Sequence, residues 1–532
     1  MVEQKRTGSY YTPPVIAKFL CEHVSRKLIG KEISVLEPSA GDGVFVSEIG
    51  ACQLLGTQAL SITAIEISNT EAGKIENIHV PNHVSITVVN EDFLNYQDCC
   101  TEKFDLVIGN PPYIKLSYLT DSQIRICKNI NSAFDLELVS GVKNIWSSFL
   151  LSSIRLLKND GIVAFVLPAE FLQVNYAKPI RDLLLREFER VEILTFNELV
   201  FEQCKGQDTV IVIAERQSNE KGLFFHNVSN FNRIGDNITF VKHDSYSSLK
   251  WTSHVLSKEQ VNLLEKLSGQ LPSISELCTS KTGIVSAANN FFIINRETIE
   301  DLEIPNFLYK GIIQKSSLVP KGNVVSNELV TDLAERNTPC YLLSLSGINI
   351  ASFPKLVDYI KYGESLSLNE RYKMQKRNRW FDVPGISESS PVLFFKRSHK
   401  CPRFVLNETD FLATDSAYLV YPKLGVDPRS LVFCFYNSLT LAMAEIQGRY
   451  YGGGVLELTP SEFKGLPLPM SEINAEDFDN LSGALSSDQE FARLLEKNDS
   501  KLLRHYFPDI SHHELKELAN IREQLVNRRQ RL

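Results

Sequence analysis

Long apolar runs, paired cysteines and metal-spaced histidines are all missing from this chain of 532 residues. No apolar run reaches the roughly 20 residues that a membrane-spanning helix needs. The opening Met1-Val2-Glu3-Gln4-Lys5-Arg6 lacks the apolar core of a signal peptide. A cytoplasmic protein without a membrane partner is expected. The ten cysteines are scattered, with Cys99 beside Cys100 and no Cys-x-x-Cys, and the ten histidines show no ligand spacing. Neither a metal site nor a disulfide framework is expected. Internal repeats and low-complexity tracts are also absent. The net charge of −8 argues against a protein that coats nucleic acid wholesale, so any nucleic-acid surface must be a local basic patch.

What the sequence does have is a regular alternation. Over about the first 245 residues, short apolar segments alternate with helical ones, the pattern of a doubly wound α/β sheet. Strands are expected over Ile33–Leu36, Ser61–Ile65, Val84–Val89, Leu106–Gly109, Ile162–Leu167, Val191–Phe196 and Thr209–Ala214. The last two lie close together, which suits a reversed hairpin at the sheet edge better than another crossover. Thr12 before Pro13-Pro14 reads as a helix N-cap, and Val15, Phe19, Leu20, Val24 and Leu28 follow at helical spacing. Beyond about 250 the segments become longer and irregular, rich in Ser, Asn, Pro and aromatics. The expected organisation is a catalytic α/β domain over 1–245, a mixed α+β domain over 250–475 and a charged helical segment over 476–532. A monomer is expected.

Strand one ends in Glu37-Pro38-Ser39-Ala40-Gly41-Asp42-Gly43. Ligands of an open parallel sheet sit beyond the carboxyl ends of its strands, and Gly41 and Gly43 let the backbone approach closely. The third glycine of the dinucleotide fingerprint is missing, and Glu37 and Asp42 would repel a pyrophosphate. They suit S-adenosylmethionine, which carries a sulfonium, an ammonium and no phosphate. Strand two ends in Glu66-Ile67, an acidic tip able to accept both ribose hydroxyls. Strand three ends in Asn90-Glu91-Asp92-Phe93; Asp92 can accept the adenine amino group and Phe93 can pack on its ring. Strand four runs into Asn110-Pro111-Pro112-Tyr113. The prolines stiffen that turn, Asn110 and the Pro111 carbonyl offer two acceptors, and Tyr113 offers a flat ring. Together they would cradle a planar amino group. Each element alone is ordinary turn or cap chemistry; four of them on successive strand tips form a constellation.

With its four tips in this order, the chain resembles the TaqI-type (gamma-class) adenine-N6 DNA methyltransferases, with specific motifs over about 1–215. The resemblance implies a class I methyltransferase sheet, S-adenosylmethionine as cofactor, and N6 methylation of adenine in double-stranded DNA. It further implies flipping of the target base and a role in a restriction–modification or related defence system. Thr7-Gly8-Ser9-Tyr10-Tyr11-Thr12-Pro13-Pro14 resembles the family's N-terminal motif, which closes over the methionine moiety. The implied cofactor set is Tyr11, Thr12, Glu37, Ser39, Gly41, Glu66, Ile67, Asp92, Phe93 and Asn110. Val200-Phe201-Glu202-Gln203 resembles the segment whose aromatic residue stacks on the flipped base. Phe201 thereby joins Asn110, Pro111, Pro112 and Tyr113 as a catalytic candidate, although a plain core phenylalanine fits that position equally well. Beyond 250 the likeness is looser: Thr282-Gly283-Ile284-Val285 resembles the start of the family's target-recognition domain, and Arg449-Tyr450-Tyr451 its end. No N-terminal nuclease domain is expected, which leaves open a separately encoded restriction endonuclease as partner.

Basic residues cluster late. Arg371, Lys373, Lys376, Arg377 and Arg379 lie beside Trp380 and Phe381, and Lys396, Arg397, Lys400 and Arg403 follow. Cations interleaved with aromatics suit contacts to DNA phosphates and sugars; a solvated charged face is the plainer alternative. The rival activities are RNA-base or protein-glutamine amino methylation, and cytosine-N4 methylation of DNA.

Overall fold

The computed structural model describes residues 11–52, 57–136, 143–198, 208–230, 234, 238–243, 249–319, 322–386, 388–451, 453–485 and 487–531. Two compact units make up the chain. The first is Met1–Lys258 with Tyr451–Gly453 and Arg531–Leu532; the second is Glu259–Tyr450 with Gly454–Gln530. Among the described residues no helix is long and apolar enough to cross a membrane.

Among the described residues the first unit has nine strands: β1 (Glu32–Glu37), β2 (Ala59–Ile65), β3 (Val84–Val89), β4 (Phe104–Gly109), β5 (Leu157–Pro168), β6 (Arg190–Phe196), β7 (Thr209–Glu215), β8 (Gly222–Val228) and β9 (Val241–His243). Their order is β3-β2-β1-β4-β5-β7-β6-β8-β9. Strands β1 to β5 run parallel, and β7 is antiparallel to both β5 and β6. This is the doubly wound sheet with a reversed hairpin that the sequence predicts. The hairpin is not the edge, however. β8 pairs parallel to β6 and β9 pairs antiparallel to β8. Leu223, Phe224 and Phe225 make β8 an interior strand, buried on the sheet.

Alternation sorts the side chains into two cores. Val163, Phe165 and Leu167 of β5 face one cluster with Phe149 and Trp146; Ile162, Ala164 and Val166 face the other with Phe45 and Leu20. The first cluster is covered by α4 (Phe93–Cys99), α5 (Asp121–Ala133), α6 (Trp146–Leu156) and α8 (Lys178–Glu187), the second by α1 (Pro14–Ser25), α2 (Val44–Ala51) and α3 (Asn69–Ile75). A short helix, α7 (Glu170–Gln173), follows β5 directly. Every residue of β7 is buried, so its sequence Thr-Val-Ile-Val-Ile-Ala-Glu reads as an unbroken apolar run rather than an alternating one. At the start of α1 the N-cap is Pro13, with no side-chain cap, and not Thr12. The two prolines set the helical entry by φ alone, and Thr12 is buried one residue upstream.

The second unit is mixed α+β. A five-stranded sheet runs in the order Cys278–Thr282, Ala417–Pro422, Val392–Phe395, Arg403–Asn407, Val324–Val325. A four-stranded one runs Ile293–Ile294, Tyr341–Leu343, Tyr309–Ile313, Leu412–Ala413. The C-terminal helices lie in this same unit. The last, His512–Gln530, buries Arg529 against Glu445 at 2.7 Å.

Candidate active site

A cavity of about 490 Å³ opens at the carboxyl ends of β1 to β4. The loop after β1 is shaped by two left-handed glycines, Gly41 with φ +55° and Gly43 with φ +82°. The positive φ of Gly43 favours glycine, and a Cβ there would also come within 2.7 Å of Ile78 Cδ1, which would have to move. Glu66 at the tip of β2 ties this loop down: one carboxylate oxygen accepts the Gly41 N–H and the other the Ser68 N–H, each at 2.8 Å. Asp92 ends β3 as the N-cap of α4, accepting the Leu94 N–H at 2.9 Å. Its second oxygen accepts from Gln123 Nε2 at 3.1 Å, while the Gln123 carbonyl oxygen completes the capping box of α5 with Thr120.

The site is acidic. Glu37 is buried, and one of its oxygens, Oε2, has no partner among the described residues. Burial first, then the Asp42 and Glu66 carboxylates, push its carboxyl well above the usual range. Burial also raises Glu66, against the two backbone N–H groups that favour its charge. Carboxylates collected in this way suit a cationic ligand. The sulfonium and ammonium of S-adenosylmethionine match that demand, and a pyrophosphate would not.

Asn110 follows β4, and Pro112 joins it on the cavity wall. The Asn110 carbonyl accepts from Ser39 Oγ at 3.2 Å, linking the first and fourth strand tips. Pro111 is buried. Tyr113, expected to offer a flat ring to the target, is instead only 7% exposed and absent from the cavity wall, because its hydroxyl donates to the Val166 carbonyl of β5 at 3.1 Å.

Of the expected cofactor residues, Tyr11, Ser39, Gly41, Glu66, Ile67, Asp92, Phe93 and Asn110 line the cavity together; Thr12 and Glu37 are buried outside its wall. Phe201 lies outside the described residues. The sequence reading missed Gln123, Ile145 and Phe149, which also line it. The signal was faint: α6 mixes four serines with its apolar residues, and that pattern does not show that the helix is buried nearly all round or against what.

The basic cluster of the second unit divides. Arg377 donates to the carbonyls of Trp380 and Ser286 at 3.1 and 2.7 Å, and Arg379 to those of Ile348 and Leu345 and to Asp382. These two are held within the fold. Arg371, Lys373 and Lys376 are exposed, Lys376 lying 5.4 Å over the ring of the exposed Tyr372. Lys396 is half-buried, and the exposed Arg397 pairs with Glu457 at 3.1 Å.

Strand order, the glycine-shaped first loop and the acidic tips define an S-adenosylmethionine-dependent methyltransferase of class I fold. Comparison with known proteins narrows this. Residues 47–201 match the family of the Eco57I restriction-modification methylase, and 248–503 match that of the C-terminal domain of Type II methyltransferase M.Eco57I. Type II methyltransferase M.AccI of Acinetobacter calcoaceticus is 22% identical over 94% of this chain and 92% of its own length. Type II methyltransferase M.XamI of Xanthomonas campestris pv. amaranthicola is 21% identical over 88% and 86%. A DrdV–DNA complex solved by cryo-electron microscopy is 14% identical with TM-score 0.49, covering 96% of this chain and 58% of that one. The chain is a DNA methyltransferase with S-adenosylmethionine as methyl donor, and over most of its length it is similar to enzymes of restriction–modification systems.

Proposed function

We propose that the methyl group goes to N6 of adenine at a specific site in double-stranded DNA, the TaqI-type reaction. The observation that carries this reading is the placement of Asn110 and Pro112 on the wall of the cavity that Glu66 and Asp92 line. Methyl donor and acceptor amine therefore meet at one strand tip.

S-adenosylmethionine supplies an electrophilic methyl group on a positively charged sulfur. The adenine amine is a poor nucleophile because its lone pair is delocalised into the ring. The Asn110 side-chain oxygen and the Pro111 carbonyl accept its two N–H bonds, which favours a pyramidal nitrogen with its lone pair free to attack. Positioning and preorganised dipoles carry the catalysis, and no covalent nucleophile is needed. The base leaves the duplex to reach the cavity, stacking on Phe201, while Tyr113, with its ring buried and its hydroxyl on the Val166 carbonyl, stiffens the turn. Glu66 and Asp92 hold the ribose and adenine of the cofactor. The exposed Arg371, Lys373 and Lys376 contact phosphates, acting with the second unit as target-recognition domain. A restriction–modification role places the enzyme with chromosomal DNA in the cytoplasm.

The test is transfer of tritium from labelled S-adenosylmethionine to duplex DNA, followed by digestion to nucleosides. Label in N6-methyladenine, abolished by Asn110→Ala at unchanged cofactor affinity, is the expected result. Label in N4-methylcytosine, or in RNA or protein competitors instead of DNA, would replace this reading with one of its rivals.

A further inference from the structure

The geometry points to Glu170 as a positioning residue for the Asn110-Pro111-Pro112-Tyr113 loop, an inference that rests on the reading just given. Glu170 stands two residues beyond β5, the strand paired with β4, and does not line the cavity. Three donors from two segments converge on its Oε1: Tyr176 Oη at 2.8 Å, Trp146 Nε1 at 3.1 Å and Asn144 Nδ2 at 3.3 Å. An oxygen has two lone pairs, so three donors on one atom are held best by an anion.

Two of these donors belong to the segment that grips the catalytic loop. Immediately after Tyr113, the Ile114 carbonyl accepts the Ile145 N–H at 2.9 Å, and the Leu116 N–H donates to the Lys143 carbonyl at 3.0 Å. Lys115 and Asn144 form the antiparallel bridge between them. Glu170 thus holds Asn144 and Trp146; residues 143–145 hold the loop's exit; and Ile145, between the two donors, forms part of the cavity wall. The other end of the loop is held by β4 itself and by Ser39. Without Glu170, the backbone bonds at the exit and the Tyr113–Val166 bond remain, but the segment that carries the exit loses its side-chain anchor.

A purely structural cap would not require the arrangement seen at Asn144. This side chain is 4% exposed, yet its Oδ1 has no partner among the described residues. Folded proteins rarely leave a buried acceptor unpaired without a local reason. The reason here is that Glu170 claims the amide nitrogen and thereby fixes which way the amide points.

The test uses the full chain and three readouts: the single-turnover rate of methyl transfer to DNA, the dissociation constant for S-adenosylmethionine by calorimetry, and the thermal midpoint. Glu170→Gln keeps the shape and a carbonyl acceptor but loses the charge. Charge-assisted hydrogen bonds are about twice as strong as neutral ones, so the rate is expected to fall about tenfold. Cofactor affinity should stay within about twofold, because Glu170 does not touch the cavity. Tyr176→Phe removes the one donor that does not lead to the loop and should slow transfer by less than about threefold. A Glu170→Gln rate within about twofold of wild type overturns the inference. So does a rate loss matched by an equal loss of cofactor affinity, which would mean general loosening. Should Glu170→Gln fail to fold, Asn144→Ala decides: a wild-type rate overturns the inference, and a slowed rate at unchanged cofactor affinity supports it. If the wild-type chain transfers nothing to adenine, the parent reading has failed instead.

Discussion

Glu37→Gln should move stability and cofactor affinity in opposite directions. Glu37 is buried with one oxygen unpaired among the described residues, and the Asp42 and Glu66 carboxylates add repulsion to the cost of burial. In the ligand-free protein its charge is therefore a liability. Replacing it with a neutral amide of the same shape should relieve about 1 kcal/mol, which raises the thermal midpoint by about 2–4 °C for a unit of this size. The gain has a definite pH dependence. The folded carboxyl titrates above the usual range, so the wild-type penalty is absent below the unfolded pKa, near 4.5, and grows as pH rises through the folded one. With cofactor bound the sign reverses. The lost charge lies behind the cavity wall and acts on a sulfonium and an ammonium through space, worth roughly 1–2 kcal/mol at an effective dielectric of about 20, or roughly 5–30-fold in dissociation constant. Binding to wild type should also release a proton at any pH where the folded carboxyl is still protonated, a release that Glu37→Gln abolishes. Scanning calorimetry from pH 4 to 8 measures the first effect. Titration calorimetry in buffers of different ionisation enthalpy measures the second. A cofactor affinity unchanged within twofold would refute the role of this carboxylate, and a large loss of ligand-free stability would refute its being unpaired.

At the other end of the sheet, burial would raise Glu192, but a hydrogen bond from His23 and the charge of Lys27 hold its carboxyl at about 2. Stability on the order of 3 kcal/mol is then present above pH 4.5 and lost as pH falls toward 2. Denaturant titrations of wild type and Glu192→Gln across that window should converge at its acid end, and parallel curves would contradict the assignment. Lys373→Gln should lower the slope of log DNA affinity against log salt by about one, about equally for specific and random duplexes; an unchanged slope restores the solvated-face alternative. Arg377→Ala should chiefly cost stability, because its donors serve the Trp380 and Ser286 carbonyls, and a normal midpoint with weakened DNA binding would reverse that assignment.

The site was legible where chemistry coincides with a strand end. Glu66, Asp92 and Asn110 each close an apolar run, and a parallel sheet brings such ends together whatever lies between them. Less was legible wherever a partner is distant in sequence. The basic run at 371–379 gives no hint that Arg379 reaches carbonyls 31 and 34 residues upstream, or that Arg377 reaches one 91 residues away. The three donors on Glu170 come from positions 144, 146 and 176, and no local pattern joins them. β8 escaped because Leu223-Phe224-Phe225 is too short to declare a strand without β6 beside it. Tyr113 follows a strand end, as Asn110 does, yet its ring is buried because its hydroxyl finds the Val166 carbonyl one strand over.

Strand β7 has a consequence for synthesis on the ribosome. It lies between β5 and β6, yet it is made after both. When β5 is complete, one of its edges is paired with β4 and the other is a bare row of N–H and C=O groups on an apolar strand. β6 cannot cover it, since its own neighbours in the sheet are β7 and β8, both still to come. The open edge persists until Glu215 emerges, roughly 2–10 s later at about 5–20 residues per second. Such an edge is a template for pairing with another chain. Slow decoding between positions 168 and 215 prolongs that interval, so the strand order ties the yield of folded enzyme to the speed of translation across one short stretch of the gene.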